Sequence, residues 1–119
     1  MTDARRSAEG WGRRAETLAV WALRLKGYAI LARRERTPAG EIDIIARRGR
    51  TLVAVEVKAR RAETPLRDLI TEGQWKRICR ALEFYVARRR LDHLRLRFDV
   101  VFLQPKRWPR HVPDAWRPS

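Results

Sequence analysis

The chain has 119 residues, 45% of them hydrophobic, a size and composition that fit one globular domain and exclude disorder throughout. No apolar run reaches the roughly 18 residues needed to span a bilayer, the first ten residues lack the apolar stretch of a secretory signal, and the single cysteine, Cys79, excludes an internal disulfide and a cysteine-based zinc cluster. The 28 Lys and Arg residues against 14 Asp and Glu give a formal net charge of +14. We therefore expect a cytoplasmic protein that binds nucleic acid and no membrane, because arginine-rich surfaces bind phosphate oxygens.

Hydrophobic periodicity predicts the order helix, three strands, helix, strand. The first helix is predicted over residues 8–26, before Gly27, with an apolar face made of Trp11, Ala15, Leu18, Ala19, Ala22 and Leu25. A short strand over 28–31 and a polar stretch over 32–40 follow. Residues 40–60 contain two strands that form a hairpin through a turn around Gly49.

After a loop over 60–71, a second helix is predicted over 72–90, with an apolar stripe of Ile78, Ala81, Leu82, Tyr85 and Val86, and a strand over 96–103. A strand, a helix and a strand in succession allow a right-handed crossover and a parallel pair. The order αβββαβ thus predicts an α/β fold with a small mixed sheet flanked by helices. Residues 1–103 are expected to form this domain, and residues 104–119 an extended C-terminal tail that contains Pro105, Pro109, Pro113, Pro118, Trp108 and Trp116.

Two carboxylates and a lysine are the candidate chemistry-bearing residues. Glu56 and Lys58 alternate on the second hairpin strand and so share a face, and the hairpin brings Asp43 onto the neighbouring strand. Carboxylate oxygens are hard ligands for Mg²⁺ or Mn²⁺, and a lysine stabilises negative charge on a phosphate. Glu16 on the first helix is a further candidate acid. The alternative is a surface ion-pair cluster, because carboxylate and lysine often alternate on exposed strands.

The segment GEIDIIARRGRTLVAVEVKAR, preceded by KGYAILARRERTP, resembles the YraN-like family of small bacterial proteins, whose fold belongs to the PD-(D/E)xK nuclease superfamily. The resemblance covers most of the chain and includes Glu16, Gly27, Tyr28, Arg36, the GEID of residues 40–43, the VEVK of residues 55–58, Arg60, Ala81, Tyr85, Arg97, Asp99 and His111. It implies a restriction-endonuclease-like core with Asp43, Glu56 and the backbone carbonyl of Val57 as metal ligands. It further implies Lys58 as the catalytic lysine and Glu16 as an additional catalytic acid.

Five residues are candidates for binding nucleic acid: Arg34, Arg36, Arg60, Arg61 and Gln74. A solvated arginine rim would give the same pattern. Glu41 is expected to make a salt bridge, Asp99 to pair internally with Arg97, and His111 to be a hydrogen-bonded residue of the tail. Trp108 and Trp116 could stack on bases, but we expect them to pack with the tail across the sheet.

The pairing of the GEID and VEVK segments on a basic protein favours a divalent-metal-dependent endonuclease that hydrolyses phosphodiester bonds. The resemblance implies DNA, with branched or junction structures as candidate substrates, whereas the residues alone do not distinguish DNA from RNA. The alternative is a nucleic-acid-binding module that keeps the nuclease fold without the chemistry. A third hypothesis, an RNA-binding or ribosome-associated adaptor, rests on charge alone. A homodimer is expected by analogy with resolvases, which cut two strands.

Overall fold

The structure is a computed structural model that describes residues 3–60, 65 and 69–119, with side chains described from residue 12 onward. Its elements are, in chain order, α1 Asp3–Leu25, β1 Ala29–Thr37, β2 Gly40–Arg48, β3 Thr51–Ala59, α2 Glu72–Arg89, β4 Arg95–Leu103 and β5 Arg110–Trp116. The loop predicted over 60–71 falls largely on residues 61–64 and 66–68, which lie outside the described residues. Among the described helices, none is long and apolar enough to cross a membrane.

The strands form a single mixed sheet in the order β1-β2-β3-β4-β5. Strands β3 and β4 are parallel, and the other neighbouring pairs are antiparallel. The predicted α/β fold with a small mixed sheet and the order αβββαβ is confirmed. This topology places the start of β2 and the ends of β3 and β4 at one end of the sheet, called here the Asp43 end.

Each face of the sheet carries one helix. Helix α1 covers a cluster that includes Ala15, Ala19, Val20, Leu23, Ile44, Val53, Val55 and Val101. Helix α2 covers a cluster that includes Ile42, Ile45, Leu52, Trp75, Ile78, Leu82, Phe98 and Val100. The predicted stripe of α2 is buried in full, and a capping box between Thr71 and Gln74 begins this helix.

Helix α1 is rotated relative to the predicted apolar face. Ala15 and Ala19 are buried as expected, but Leu18 and Leu25 are exposed, and Val20 and Leu23 take their places against the sheet. The side chain of Trp11 lies outside the described side chains. Apolar residues occur on more than one side of this helix, so periodicity alone does not fix its rotation.

Strand β1 is longer than predicted, because most of the polar stretch over 32–40 continues the strand to Thr37. An edge strand exposes much of its side-chain surface to water, so its sequence need not be apolar. At the opposite edge, part of the predicted tail forms β5, which pairs antiparallel with β4. Pro113 is tolerated within β5 because an edge strand does not need every backbone donor.

Candidate active site

Asp43 sits where the hairpin ladder between β2 and β3 stops. The paired residues run from Arg48–Thr51 to Ile44–Val55. Immediately beyond, the Val57 N–H donates to Asp43 Oδ2 at 2.9 Å. The carboxylate of Asp43 is thereby fixed against β3, two residues from the end of that strand.

Glu56 and Lys58 lie on the same face of β3 and form an ion pair, with 3.7 Å between Lys58 Nζ and Glu56 Oε2. Both side chains are largely buried, 14% exposed for Glu56 and 19% for Lys58. The carboxyl groups of Asp43 and Glu56 lie within hydrogen-bonding reach of each other. The structure therefore brings Asp43, Glu56 and Lys58 together at the Asp43 end of the sheet.

The two carboxyl groups disfavour each other's ionisation. Burial raises the pKa of Glu56 to about 8, with the charge of Asp43 as the next cause and Lys58 acting in the opposite direction. Burial also raises the pKa of Asp43, although the hydrogen bond from Val57 opposes that change. Either a proton on one carboxyl group or an additional cation beside the pair would relieve this repulsion.

Glu16 reaches the site from α1 with both carboxylate oxygens occupied. Oε1 accepts from Arg33 Nε at 3.2 Å, and Oε2 accepts from Arg34 Nε at 2.9 Å. Its negative charge contributes to raising the pKa of Asp43, which places it near the pair. The contacts show Glu16 tying α1 to β1, and its role as a catalytic acid stays a prediction.

The residues predicted to contact nucleic acid are distributed around the Asp43 end. Arg34, bound to Glu16, has a left-handed backbone with φ of 50°. Arg36 is almost fully exposed and lies 3.6 Å from Glu41, the salt bridge expected for that glutamate. Arg60 is exposed, and Arg61 lies outside the described residues.

Gln74 caps the start of α2. Its Oε1 accepts from the Thr71 N–H at 2.7 Å, and its own N–H donates to Thr71 Oγ1. The side-chain oxygen is therefore engaged in the helix cap. A contact of this residue with nucleic acid remains a prediction.

A second polar cluster lies around Asp99 and was only partly predicted. The buried Asp99 carboxylate accepts two hydrogen bonds from Arg97 and one from the Asp114 N–H, and it contacts His111 Nε2 at 2.7 Å. The pairing with Arg97 and the hydrogen-bonded His111 agree with expectation. The hydrogen bond from Arg97 to the Tyr28 hydroxyl was not predicted, because 69 positions separate the two residues. This cluster attaches β5 to the sheet.

The two C-terminal tryptophans have different surroundings. Trp116 stacks on Trp75 with ring centroids 5.9 Å apart, and its Nε1 donates to Glu72. The prediction that the tail packs across the sheet is confirmed for Trp116. It is wrong for Trp108, which is 89% exposed because it lies in the loop between β4 and β5.

The fold and the site define a small α/β protein with paired carboxylates and a lysine at one end of a mixed sheet. In the described part of the chain, no group of three or more His, Cys, Asp or Glu residues is arranged to hold a metal ion, so any metal would rely on the Asp43–Glu56 pair and on non-side-chain ligands. The chain belongs to the uncharacterised protein family UPF0102, whose model matches residues 15–103. This confirms the YraN-like resemblance at the level of the family.

Relatives extend over nearly the whole chain. A UPF0102 protein of Parvibaculum lavamentivorans is 54% identical over 108 residues, which cover 90% of this chain and 81% of the relative. A UPF0102 protein of Maricaulis maris is 51% identical over 120 residues, which cover 100% of this chain and 94% of the relative. A UPF0102 protein of Sphingopyxis alaskensis is 42% identical over 114 residues, which cover 96% of this chain and 98% of the relative.

Proposed function

We propose that this protein is a divalent-metal-dependent endonuclease that hydrolyses phosphodiester bonds in DNA. The observation that carries the proposal is the meeting of Asp43, Glu56 and Lys58 at one end of the sheet, with both carboxyl groups partly buried and adjacent. The net charge of +14 supports a polyanionic substrate. The resemblance to the PD-(D/E)xK nuclease superfamily, carried by the GEID and VEVK segments, supports the same reaction.

The donor set fits Mg²⁺ or Mn²⁺. These cations are commonly bound by one or two carboxylates, with water and substrate phosphate completing the shell, and Asp43 and Glu56 supply such a pair. The backbone carbonyl of Val57 would add a third oxygen. When bound, the cation would activate water and neutralise charge on the phosphate.

The protein's own groups have complementary tasks. The carboxyl groups of Asp43 and Glu56 are held in a fixed place, since the Val57 N–H and the Lys58 ammonium restrain them, and a bound cation would favour their ionised form. Lys58 supplies a positive charge where negative charge grows on the phosphoryl oxygens as a water oxygen bonds to phosphorus and the ester P–O bond breaks. The exposed Arg36 and Arg60 would bind flanking phosphates.

A cleavage assay tests the proposal. Four-way junction, forked, single-stranded and blunt duplex DNA, labelled at one end, would be incubated with the protein and Mg²⁺, Mn²⁺ or EDTA. We expect metal-dependent products from at least one substrate, and their loss with Asp43→Asn, Glu56→Gln or Lys58→Ala. Glu41→Gln is the matched control, because it removes an exposed acidic group from the same strand.

Two outcomes would contradict the endonuclease proposal. One is the absence of cleavage on every substrate, and the other is cleavage that Asp43→Asn leaves unchanged. Salt-sensitive DNA binding without cleavage would instead favour a non-catalytic nucleic-acid-binding module.

A further inference from the structure

Trp108 is an exposed aromatic ring on an otherwise polar loop. Its exposure of 89% exceeds that of every other large hydrophobic residue among the described side chains. Trp75 and Trp116, by contrast, stack on each other at the sheet surface. A tryptophan left in water without a packing partner in this part of the fold is available to an external partner.

The loop that carries Trp108 is held at the Asp43 end of the sheet. Phe102 pairs with Arg110 across the base of the loop, and the Arg60 N–H donates to Leu103 O at 3.0 Å. Phe102 also pairs with Lys58 on its other side. Arg110 and Lys58 are thus two strand spacings apart, about 10 Å, which corresponds to about three stacked nucleotides.

Basic residues flank Trp108 in the sequence of the loop. Lys106, Arg107 and Arg110 are all exposed and lie within two residues of Trp108. An aromatic ring flanked by cations suits unpaired nucleotides, because the ring stacks on a base while the cations neutralise the adjoining phosphates. The interior of a duplex offers no free base face to such a ring.

We propose that Trp108 is a base-stacking residue that selects nucleic acids with unpaired nucleotides near the phosphate bound at the Asp43 end. The proposal deepens the proposed function and rests on it for the position of that phosphate. It assigns single-stranded arms, forks and junctions, rather than uninterrupted duplex, as the substrate class.

Fluorescence anisotropy in EDTA measures binding separately from cleavage. The probes are a fluorescein-labelled 20-nucleotide single strand, a fork with unpaired arms and a blunt duplex. We expect Trp108→Ala to weaken binding of the single strand and the fork about tenfold, within the range for loss of one stacked base. Duplex binding should change less than twofold, and Trp108→Phe should retain most of the affinity.

Trp21→Ala is the matched control, because Trp21 is also exposed but lies on α1 and contacts Arg24. It should bind all three probes like the unmodified protein. Equal thermal midpoints of the variants would exclude a folding defect.

Several results would overturn the inference. They are an unchanged affinity of Trp108→Ala for the single strand and the fork, an equal loss on all three probes, or an equal loss with Trp21→Ala. A second assay measures sedimentation of the protein with phosphatidylglycerol vesicles. If Trp108→Ala abolished this sedimentation but left DNA binding intact, the ring would be assigned to a membrane surface instead. If the unmodified protein bound no DNA, the inference and the proposed function would both fail. If it bound the single strand and the fork selectively but cleaved no substrate, only the endonuclease proposal would fail.

Discussion

Replacing Asp43 with asparagine is expected to stabilise the metal-free protein at pH 8 while removing the proposed activity. Burial and the charge of Asp43 raise the pKa of Glu56 from 4.5 to about 8. Asparagine lacks that charge but keeps a side-chain oxygen that can accept the Val57 N–H bond. The substitution therefore relieves the repulsion without breaking the contact that fixes the end of the hairpin.

The sign and size follow from proton linkage. The pKa of Glu56 is higher in the folded than in the unfolded protein, so the free energy of unfolding falls as the pH rises from 4.5 to 8 and then levels off. Burial is the largest cause and the charge of Asp43 the next, so removing that charge lowers the pKa of Glu56 and stabilises the folded protein by an amount on the order of 1 kcal/mol. At pH 8 this corresponds to a thermal midpoint higher by about 5 °C for a domain of this size.

Urea unfolding followed by tryptophan fluorescence, in EDTA at pH 5 and pH 8, measures this effect. Asp43→Asn should gain stability relative to the unmodified protein at pH 8 and show a smaller gain at pH 5. Glu41→Gln changes the net charge equally at an exposed position of β2 and should show no such pH dependence. A difference between Asp43→Asn and the unmodified protein that is the same at both pH values would refute the reasoning.

Three further predictions concern other parts of the molecule. Lys58→Ala should lower the cleavage rate by about 10²–10³-fold while Mn²⁺ binding, measured by calorimetry, persists, because the lysine acts on the phosphate. Asp99→Asn should lower the free energy of unfolding in urea by about 3 kcal/mol, since Arg97 and His111 lose their buried partner. Burial opposes ionisation of Asp99, but the bonds from His111, Arg97 and the Asp114 N–H outweigh it and lower its pKa below 3.8, so the unmodified protein should lose this contribution as the pH falls below about 3.8. Trp116→Ala should cost about 3 kcal/mol and speed amide hydrogen exchange in β5, because the indole packs on Trp75 and Phe98.

Each of these has a clear contrary result. Loss of Mn²⁺ binding in Lys58→Ala would mean that the lysine holds the site together rather than acting on the phosphate. An Asp99→Asn variant as stable as the unmodified protein would show that the buried charge is dispensable. Unchanged exchange of the β5 amides in Trp116→Ala would show that the strand is held by its backbone pairing alone.

The order of the elements was predictable because their signals are local. The aliphatic run of β3 is buried on both faces, the stripe of α2 on one, and each is a local signal that specifies one element. Strand β5 and the extension of β1 were not predicted, since edge strands need no apolar face and Pro113 argues against a strand. The rotation of α1 was also missed, because Leu18 and Leu25 carry the same apolar signal as the buried Val20 and Leu23.

The core of the candidate site was predictable for a geometric reason. Alternation on β3 places Glu56 beside Lys58, and a tight turn at Gly49 sets the register that brings Asp43 to the same end. The two bonds of Glu16 to arginines of β1 depend instead on how α1 packs on the sheet. Such contacts join distant parts of the chain and leave no periodic trace in the sequence.

Calorimetric titration with Mn²⁺ tests the central claim most directly, because it asks whether Asp43 and Glu56 act together as a cation site. The unmodified protein and Glu41→Gln should bind the cation with the same affinity, and Asp43→Asn and Glu56→Gln should each lose most of that binding. Binding that survives both substitutions, or no binding by the unmodified protein, would contradict the claim.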